Sequence, residues 1–139
     1  MVLKDWAHNG LRCVVYDCRG RHLCGYVGVP KTHALHGVAY NSNHAAANSL
    51  WEKAKDGPMG KRGILSLLVA DHDAPRLDVV FDVHGSLTFS GGGDYPVASS
   101  GLWWFGFDAA HCDDSRDVQD EAYMAAECES LADQLAEVK

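Results

Sequence analysis

The sequence predicts an α+β fold in which an antiparallel sheet packs against one or two helices, including a long C-terminal helix. Two segments alternate apolar and polar residues, and a final segment places an apolar residue at every third or fourth position. The first pattern is typical of half-buried strands and the second of an amphipathic helix. A chain of 139 residues has the length of a single domain with its own core, so we assign residues 1–139 to one domain.

The most regular alternation runs from Asp78 to Phe89 and predicts a strand. Its apolar face would carry Val79, Phe81, Val83, Leu87 and Phe89. Its polar face would carry Asp78, Asp82, His84, Ser86 and Thr88. Side chains on one face of a strand stand about 7 Å apart, so this polar face predicts a row of groups that bind a ligand or transfer protons. The alternative is the solvated face of an ordinary antiparallel sheet.

A second strand is predicted within Leu102–Asp114, and it ends in a candidate site. One face would carry Trp103, Phe105 and Phe107, and the other Trp104, Gly106 and Asp108. Gly106 leaves room for a ligand or a backbone beside Trp104 and Asp108. If the two strands pair, His84, Asp108 and His111 converge. The alternative is that both tryptophans belong to the core and Asp108 caps a turn.

Two helices and three further strands complete the prediction. Leu11–Tyr16 and His22–Val29 would form a hairpin, and Ile64–Val69 a buried strand. A helix is expected from His44 to Lys55, capped by Ser42 or Asn43. The C-terminal helix is expected from Arg116 to Val138, with Ser115 as its N-cap. Its apolar stripe would be Met124, Cys128, Leu131 and Leu135.

Charge and composition limit the classes of partner. The net charge is −7 and the twelve basic residues are scattered, so no basic stripe for a nucleic acid polymer is present. Local cations and backbone amides remain able to bind a small anion. No apolar run approaches the roughly 20 residues that span a bilayer, and the first ten residues lack the apolar core of a signal peptide. We therefore expect a cytoplasmic protein without a membrane partner.

The five cysteines indicate reduced thiols, because their number is odd and no export signal is evident. No C-x-x-C pair occurs, which argues against a structural zinc site. We therefore expect neither a metal nor a cofactor. Cys13 and Cys24 are predicted to be buried, and Cys112, next to His111, is the candidate reactive thiol.

Four motifs together resemble a family of small proteins encoded by bacteriophages and prophages. They are Gly25-Tyr26-Val27-Gly28-Val29-Pro30, Val83-His84-Gly85-Ser86-Leu87-Thr88, Trp103-Trp104-Phe105-Gly106-Phe107-Asp108-x-x-His111, and Glu127-Cys128-x-x-Leu131-Ala132-x-Gln134-Leu135. The resemblance spans residues 22–136. The family usually has glycine where this chain has Ser86, and cysteine where it has Ala109. The second difference argues against thiol catalysis at position 109.

The resemblance implies a viral protein that acts in the cytoplasm of an infected bacterium. Bacterial immunity often signals through cyclic or ADP-ribose-type nucleotides, and phages carry both sponges and hydrolases against such signals. By analogy, we expect a counter-defence role directed at a small nucleotide.

Two nucleotide mechanisms follow, and a third hypothesis concerns a protein target. In capture, which we favour, Trp103, Trp104 or Tyr95 stacks a base, while hydrogen bonds to phosphate or ribose come from His84, Ser86, Thr88 and His111. In cleavage of a phosphodiester, His84 and His111 act as base and acid and Asp108 orients one imidazole. A metal-dependent form would use His84, Asp108, His111 and Asp114 as ligands.

The third hypothesis is an inhibitor that binds a host enzyme through its helix or its aromatic face. For every mechanism we expect a homo-oligomer, because the apolar stripe of the C-terminal helix can pack on its own sheet or on its copy in a partner subunit.

Overall fold

A computed structural model of the chain describes residues 1–55, 60–61, 75–111 and 114–138. Its five strands form one antiparallel sheet in the order β1-β2-β3-β5-β4. The strands are β1 (Val2–His8), β2 (Leu11–Cys18), β3 (His22–Val29), β4 (Phe89–Gly91) and β5 (Trp103–Asp108). The described α-helices are α1 (Asn48–Ala54), α2 (Leu77–Val80) and α3 (Glu121–Ala136). The predicted α+β class is therefore confirmed.

The sheet has a large core on one face and a smaller apolar cluster on the other. Helix α3 covers the first face and packs mainly on β2 and β3. Phe105 and Phe107 of β5 point into this core, whereas Trp104 joins the smaller cluster with Val14, Cys24 and Tyr26. The alternation predicted for β5 is thus confirmed, because successive strand side chains lie on opposite faces.

Helix α3 buries the predicted stripe but begins later than the sequence suggested. The residues Met124, Cys128, Leu131 and Leu135 are all fully buried. The helix begins at Glu121, and the carboxylate of Asp120 caps it by accepting a hydrogen bond from Tyr123 N at 2.9 Å. The predicted start at Arg116 with Ser115 as N-cap is wrong. Ser115 instead donates its backbone N–H to Gln119 Oε1 at 2.7 Å in a turn that precedes the helix.

None of the described helices is long and apolar enough to cross a membrane.

The predicted hairpin is present and extends further than expected. Strand β3 has the predicted bounds, while β2 continues beyond Tyr16 to Cys18. The turn is tight because Arg19 and Gly20 both adopt left-handed backbone angles, with φ of +57° and +74°. Strand β1, which the sequence pattern did not predict, pairs with β2 and forms one edge of the sheet.

The first predicted helix is shorter than expected. A 3₁₀ turn at Ala45–Ala47 leads into α1, which ends at Ala54. The cap at the start of the 3₁₀ turn is His44, whose Nδ1 accepts a hydrogen bond from Ala46 N at 3.0 Å, rather than Ser42 or Asn43. The strand predicted at Ile64–Val69 lies outside the described residues.

The strand predicted from Asp78 to Phe89 is wrong, although Val79, Phe81, Val83 and Leu87 are buried as expected and Phe89 is half-buried. Its first part is the one-turn helix α2, and strand structure begins only at Phe89. Between them the backbone of Asp82 and His84 bonds to side chains of α3, and a bond to β5 is made only near the end of the segment, from Thr88 N to Gly106 O at 2.9 Å. Gln134 accepts from Asp82 N and donates to Asp82 O, both at 2.8 Å. An irregular segment can therefore bury its apolar residues with little sheet pairing.

Candidate functional site

Four of the predicted site residues lie close together at the end of the sheet where β5 ends, near the first turn of α3. His84, Thr88, Asp108 and His111 lie there together with Asp114 and Tyr123, which we call the histidine–aspartate cluster. The ring centroids of His84 and His111 are 6.0 Å apart. The predicted convergence of His84, Asp108 and His111 is therefore present, but a turn at residues 83–86, not a strand, delivers His84.

Both ring nitrogens of His84 are already hydrogen-bonded within the protein. Nε2 lies 2.9 Å from each carboxylate oxygen of Asp114, and Nδ1 lies 2.8 Å from the hydroxyl of Tyr123. An ionised carboxylate only accepts hydrogen bonds, so Nε2 is the ring nitrogen that donates to Asp114, and Nδ1 bonds to the hydroxyl of Tyr123. Burial is the main cause that raises the pKa of Tyr123, which keeps this hydroxyl protonated.

His111 is more exposed and interacts with a different carboxylate. Its Nε2 lies 3.3 Å from Asp108 Oδ1, and Thr88 donates its hydroxyl to the other oxygen of Asp108 at 3.0 Å. The side chain of His111 is 38% exposed, compared with 15% for His84. A carboxylate that fixes one imidazole nitrogen leaves the other free for proton transfer. His111 is therefore the cluster's accessible acid–base group.

The segment that carries His84 is held by a buried carboxylate of α3. Glu127, only 4% exposed, accepts a hydrogen bond from His84 N at 2.9 Å and pairs with Lys61. The backbone carbonyl of Lys61 in turn accepts from Gly85 N at 3.0 Å. A buried carboxylate requires such partners. The position of His84 is therefore fixed from both its backbone and its side chain.

The remaining predicted ligand residues do not join this cluster. Trp104 is fully buried on the opposite side of β5 from Trp103, and its indole N–H donates to Ser100 Oγ at 3.1 Å. Trp103 donates its indole N–H to Val38 O at 2.9 Å. Ser86 is 1% exposed. Trp104 therefore has no exposed ring face on which a base could stack, and Ser86 no surface on which to meet a ligand.

A second feature is an open cleft beside the β2–β3 turn, which we call the hairpin cleft. Its volume is about 640 Å³, within the usual range of ligand sites. The residues that line it are Met1, Tyr16, Asp17, Cys18, Arg19, Gly20, Arg21, His22 and Tyr95. Cys24 and Asp108 are paired across β3 and β5, so the cleft and the histidine–aspartate cluster lie at the same end of the sheet.

A third feature, missed from the sequence, is a group of potential metal ligands at the hairpin. The ligand atoms of Cys18, His22 and Cys24 all lie within 4.8 Å of one another. Among the described residues, this is the one group of three or more cysteine, histidine or acidic side chains that is so closely spaced. Its sequence pattern is C-x-x-x-H-x-C rather than C-x-x-C, and the three residues come together only across a hairpin turn. Cys112, the predicted reactive thiol, lies outside the described residues.

The thiols of the three described buried cysteines resist ionisation. Burial is the main cause that raises the pKa of Cys13 to about 12 and that also raises the pKa of Cys24 and Cys128. The prediction that Cys13 and Cys24 are buried thiols is confirmed.

Comparisons of the chain with protein-family models, with curated proteins and with solved structures each give no significant match.

Proposed function

We propose that the protein captures a small phosphorylated nucleotide in the hairpin cleft and releases it chemically unchanged. The observation that carries this proposal is the lining of the cleft, which combines exposed aromatic surface with basic side chains. Nucleotides need both, because the base stacks on an aromatic ring and the phosphate attracts cations. Tyr95, an expected stacking residue, lines the cleft and is 39% exposed.

The charge balance of the cleft favours an anion although the whole chain is acidic. Arg19 and Arg21 form no ion pair with any residue in the described part of the chain. Asp17, the acidic residue in the lining, is paired with Arg116 at 3.1 Å. Its charge is therefore largely neutralised. The two arginines at the turn remain able to bind a phosphate bidentately.

The histidine–aspartate cluster favours capture of the nucleotide over a cleavage mechanism in which His84 and His111 act as base and acid. A base and an acid must both reach the reacting phosphate. His84 uses its two nitrogens on Asp114 and Tyr123, so of the two histidines only His111 has a ring nitrogen without a hydrogen bond to the described residues. Following the resemblance to phage-encoded proteins, we propose that the ligand is a cyclic or ADP-ribose-type immune signal in the cytoplasm of the infected host.

Hydrolysis of the same ligand is the second candidate, and the His111–Asp108 pair supports it. Here the second ring nitrogen of His111 takes a proton from the water that attacks phosphorus, while Asp108 stabilises the imidazolium that forms. The P–O bond to the leaving alcohol breaks, and its oxygen receives a proton from solvent, to which the imidazolium later returns its own. Thr88 holds the other carboxylate oxygen and so fixes the orientation of Asp108. This candidate predicts turnover, which capture excludes.

The test is incubation of the protein with a panel of cyclic dinucleotides and cyclic ADP-ribose isomers. Bound material is recovered by filtration, released by heat and identified by mass spectrometry. Capture predicts one intact nucleotide per site, and a product that accumulates beyond one equivalent would establish hydrolysis instead. Absence of any bound or altered nucleotide would overturn the proposal and favour a protein target.

Matched variants locate the site. Arg19→Gln combined with Arg21→Gln should weaken binding at least tenfold and reduce its salt dependence. Arg12→Gln is the control, because Arg12 pairs with Asp5 on β1 and does not line the cleft. Equal losses in both variants would place the ligand elsewhere.

A further inference from the structure

We propose that Cys18, His22 and Cys24 bind one divalent cation of the zinc class at the base of the β2–β3 hairpin. This inference does not depend on the nucleotide proposal, because it rests on the hairpin alone. Two sulfurs and one imidazole nitrogen form a ligand set that binds zinc in preference to magnesium or calcium, which favour oxygen ligands.

The hairpin register brings the three side chains together. Cys18 lies directly opposite His22, and Cys24 follows His22 by two residues, so all three lie on the same face of the sheet. The tight turn at residues 19–21 fixes the separation of the two strands. A rigid hairpin therefore presents the ligands without help from another part of the chain.

The spacing suits a metal ion after a small adjustment. Zinc bonds of about 2.3 Å to sulfur and about 2.0–2.1 Å to nitrogen place tetrahedral ligand atoms roughly 3.3–3.8 Å apart. The ligand atoms here lie within 4.8 Å of one another. The two sulfurs, now 2.8 Å apart, would separate by about 1 Å on binding. As the metal–sulfur bonds form, each thiol releases its proton to solvent.

The register also argues against a disulfide between the same cysteines. Cys24 lies opposite Tyr16, not opposite Cys18, so the two cysteines are diagonal neighbours. Diagonal Cα atoms in an antiparallel pair are about 7–8 Å apart, beyond the usual disulfide range of about 4.4–6.8 Å. A metal ion binds the two sulfurs as separate ligands, so it does not require the Cα separation of a disulfide.

The fourth ligand would come from the hairpin cleft. Cys18 and His22 line the cleft, whereas Cys24 is only 6% exposed. Three protein ligands with an open fourth position are typical of zinc sites that hold water or a substrate. Through this position the cation can meet an anion in the cleft.

The experiment is a titration of the reduced, metal-free full chain with Co²⁺, followed by displacement with Zn²⁺. The proposal predicts a thiolate-to-cobalt absorption band that saturates at one equivalent and disappears when Zn²⁺ is added. Cys18→Ser and Cys24→Ser should each remove about half of this band. His22→Gln should weaken cobalt binding by about 100-fold or more, because loss of a ligand exceeds the roughly 10–100-fold cost of losing an outer-shell partner.

Controls come from the other cysteines. Cys13→Ala changes a thiol that lies on β2, as Cys18 does, but points to the opposite face of the sheet. Cys112→Ser changes a thiol outside the described residues. Both should keep the full band. No band in the reduced wild-type chain, or a full band in Cys18→Ser, would overturn the site. Cys18→Ser and His22→Gln alter partly exposed residues, so they remain decisive if Cys24→Ser does not fold.

Discussion

His84 and His111 lie with their ring centroids 6.0 Å apart, but they are held in different ways. His84 has a hydrogen-bond partner on each ring nitrogen, and its side chain is 15% exposed. His111 is bound on one nitrogen by Asp108 and is 38% exposed. Neighbouring histidines therefore have separable roles, with His84 supporting the fold and His111 facing solvent.

This difference predicts opposite effects of alanine on stability. His84→Ala leaves the partly buried hydroxyl of Tyr123 and carboxylate of Asp114 without their shared partner, so the free energy of unfolding should fall by about 1–3 kcal/mol. His111→Ala should change it by less than about 0.5 kcal/mol, as is usual for an exposed residue. Urea denaturation of both variants measures the difference. A larger loss in His111→Ala than in His84→Ala would contradict the assignment.

Gly85 lies against the ring of His111, which makes it a second test of the cluster. A Cβ built at Gly85 would overlap His111 Nε2, and the backbone φ is +68°. Gly85→Ala should therefore cost about 1–2 kcal/mol of backbone strain, and the displaced ring should also lose its contact with Asp108. Denaturation and the NMR resonances of His111 report the two effects.

Gly37→Ala is the matched control for that substitution. Gly37 has a similar φ of +85°, but a Cβ there meets nothing within 4 Å. It should show the backbone cost alone and leave the His111 resonances unchanged. If both variants shift His111 equally, the contact at Gly85 does not position the ring.

The Asp78–Phe89 segment shows which part of the structure its sequence could predict. Alternation identified Val79, Phe81 and Val83 as core residues. It did not identify Asp78 and Ser86, which it placed on the polar face and which are 3% and 1% exposed. Alternation could not identify the hydrogen-bond partner of the backbone, because a neighbouring strand or the side chain of Gln134 can equally satisfy the amide groups of Asp82. The backbone of Ser86 was equally hard to predict, because its φ of +70° lies in the left-handed region that favours glycine over serine.

The cluster itself was predictable in part. The polar types of His84, Asp108 and His111 marked it, and the end of β5 placed two of them. Asp114 was expected only as a ligand of a metal-dependent form, and Tyr123, which belongs to α3, was not expected at all. Only the packing of α3 on the sheet brings Tyr123 to His84.

Homo-oligomerisation stays a prediction that light scattering can test.

Tyr95 provides a prediction that separates ligand stacking from fold stability. Its hydroxyl lies 2.6 Å from that of Tyr26, which is 4% exposed. Tyr95→Phe keeps the ring and removes this hydrogen bond, so stability should fall by about 1 kcal/mol while nucleotide affinity is retained. Tyr95→Ala also removes the ring, so it should weaken nucleotide binding by about 1–3 kcal/mol, roughly the value of one stacked base. Equal affinity in Tyr95→Ala and wild type would exclude stacking at this ring.

The Asp17–Arg116 ion pair ties the β2–β3 turn to the segment before α3, and its pH dependence can be predicted. The hydrogen bond from Arg116 is the main cause that lowers the pKa of Asp17, and the bond from Gly20 N is the next. A carboxyl whose pKa is lower in the folded state stabilises the fold above its unfolded pKa of about 3.9. That contribution is lost as the pH falls below this value and through the folded pKa.

Arg116→Gln should therefore raise the pKa of Asp17 towards its ordinary value and leave part of the lowering, which Gly20 N supplies. NMR titration of the carboxyl carbons measures this change. Arg12→Gln is the matched control, because the Arg12 hydrogen bond is the main cause that lowers the pKa of Asp5. It should raise the pKa of Asp5 and leave that of Asp17 unchanged. An unchanged pKa of Asp17 in Arg116→Gln would show that the turn's own amide, not Arg116, sets its charge, and Arg116 would then be free to bind an anion beside the hairpin cleft.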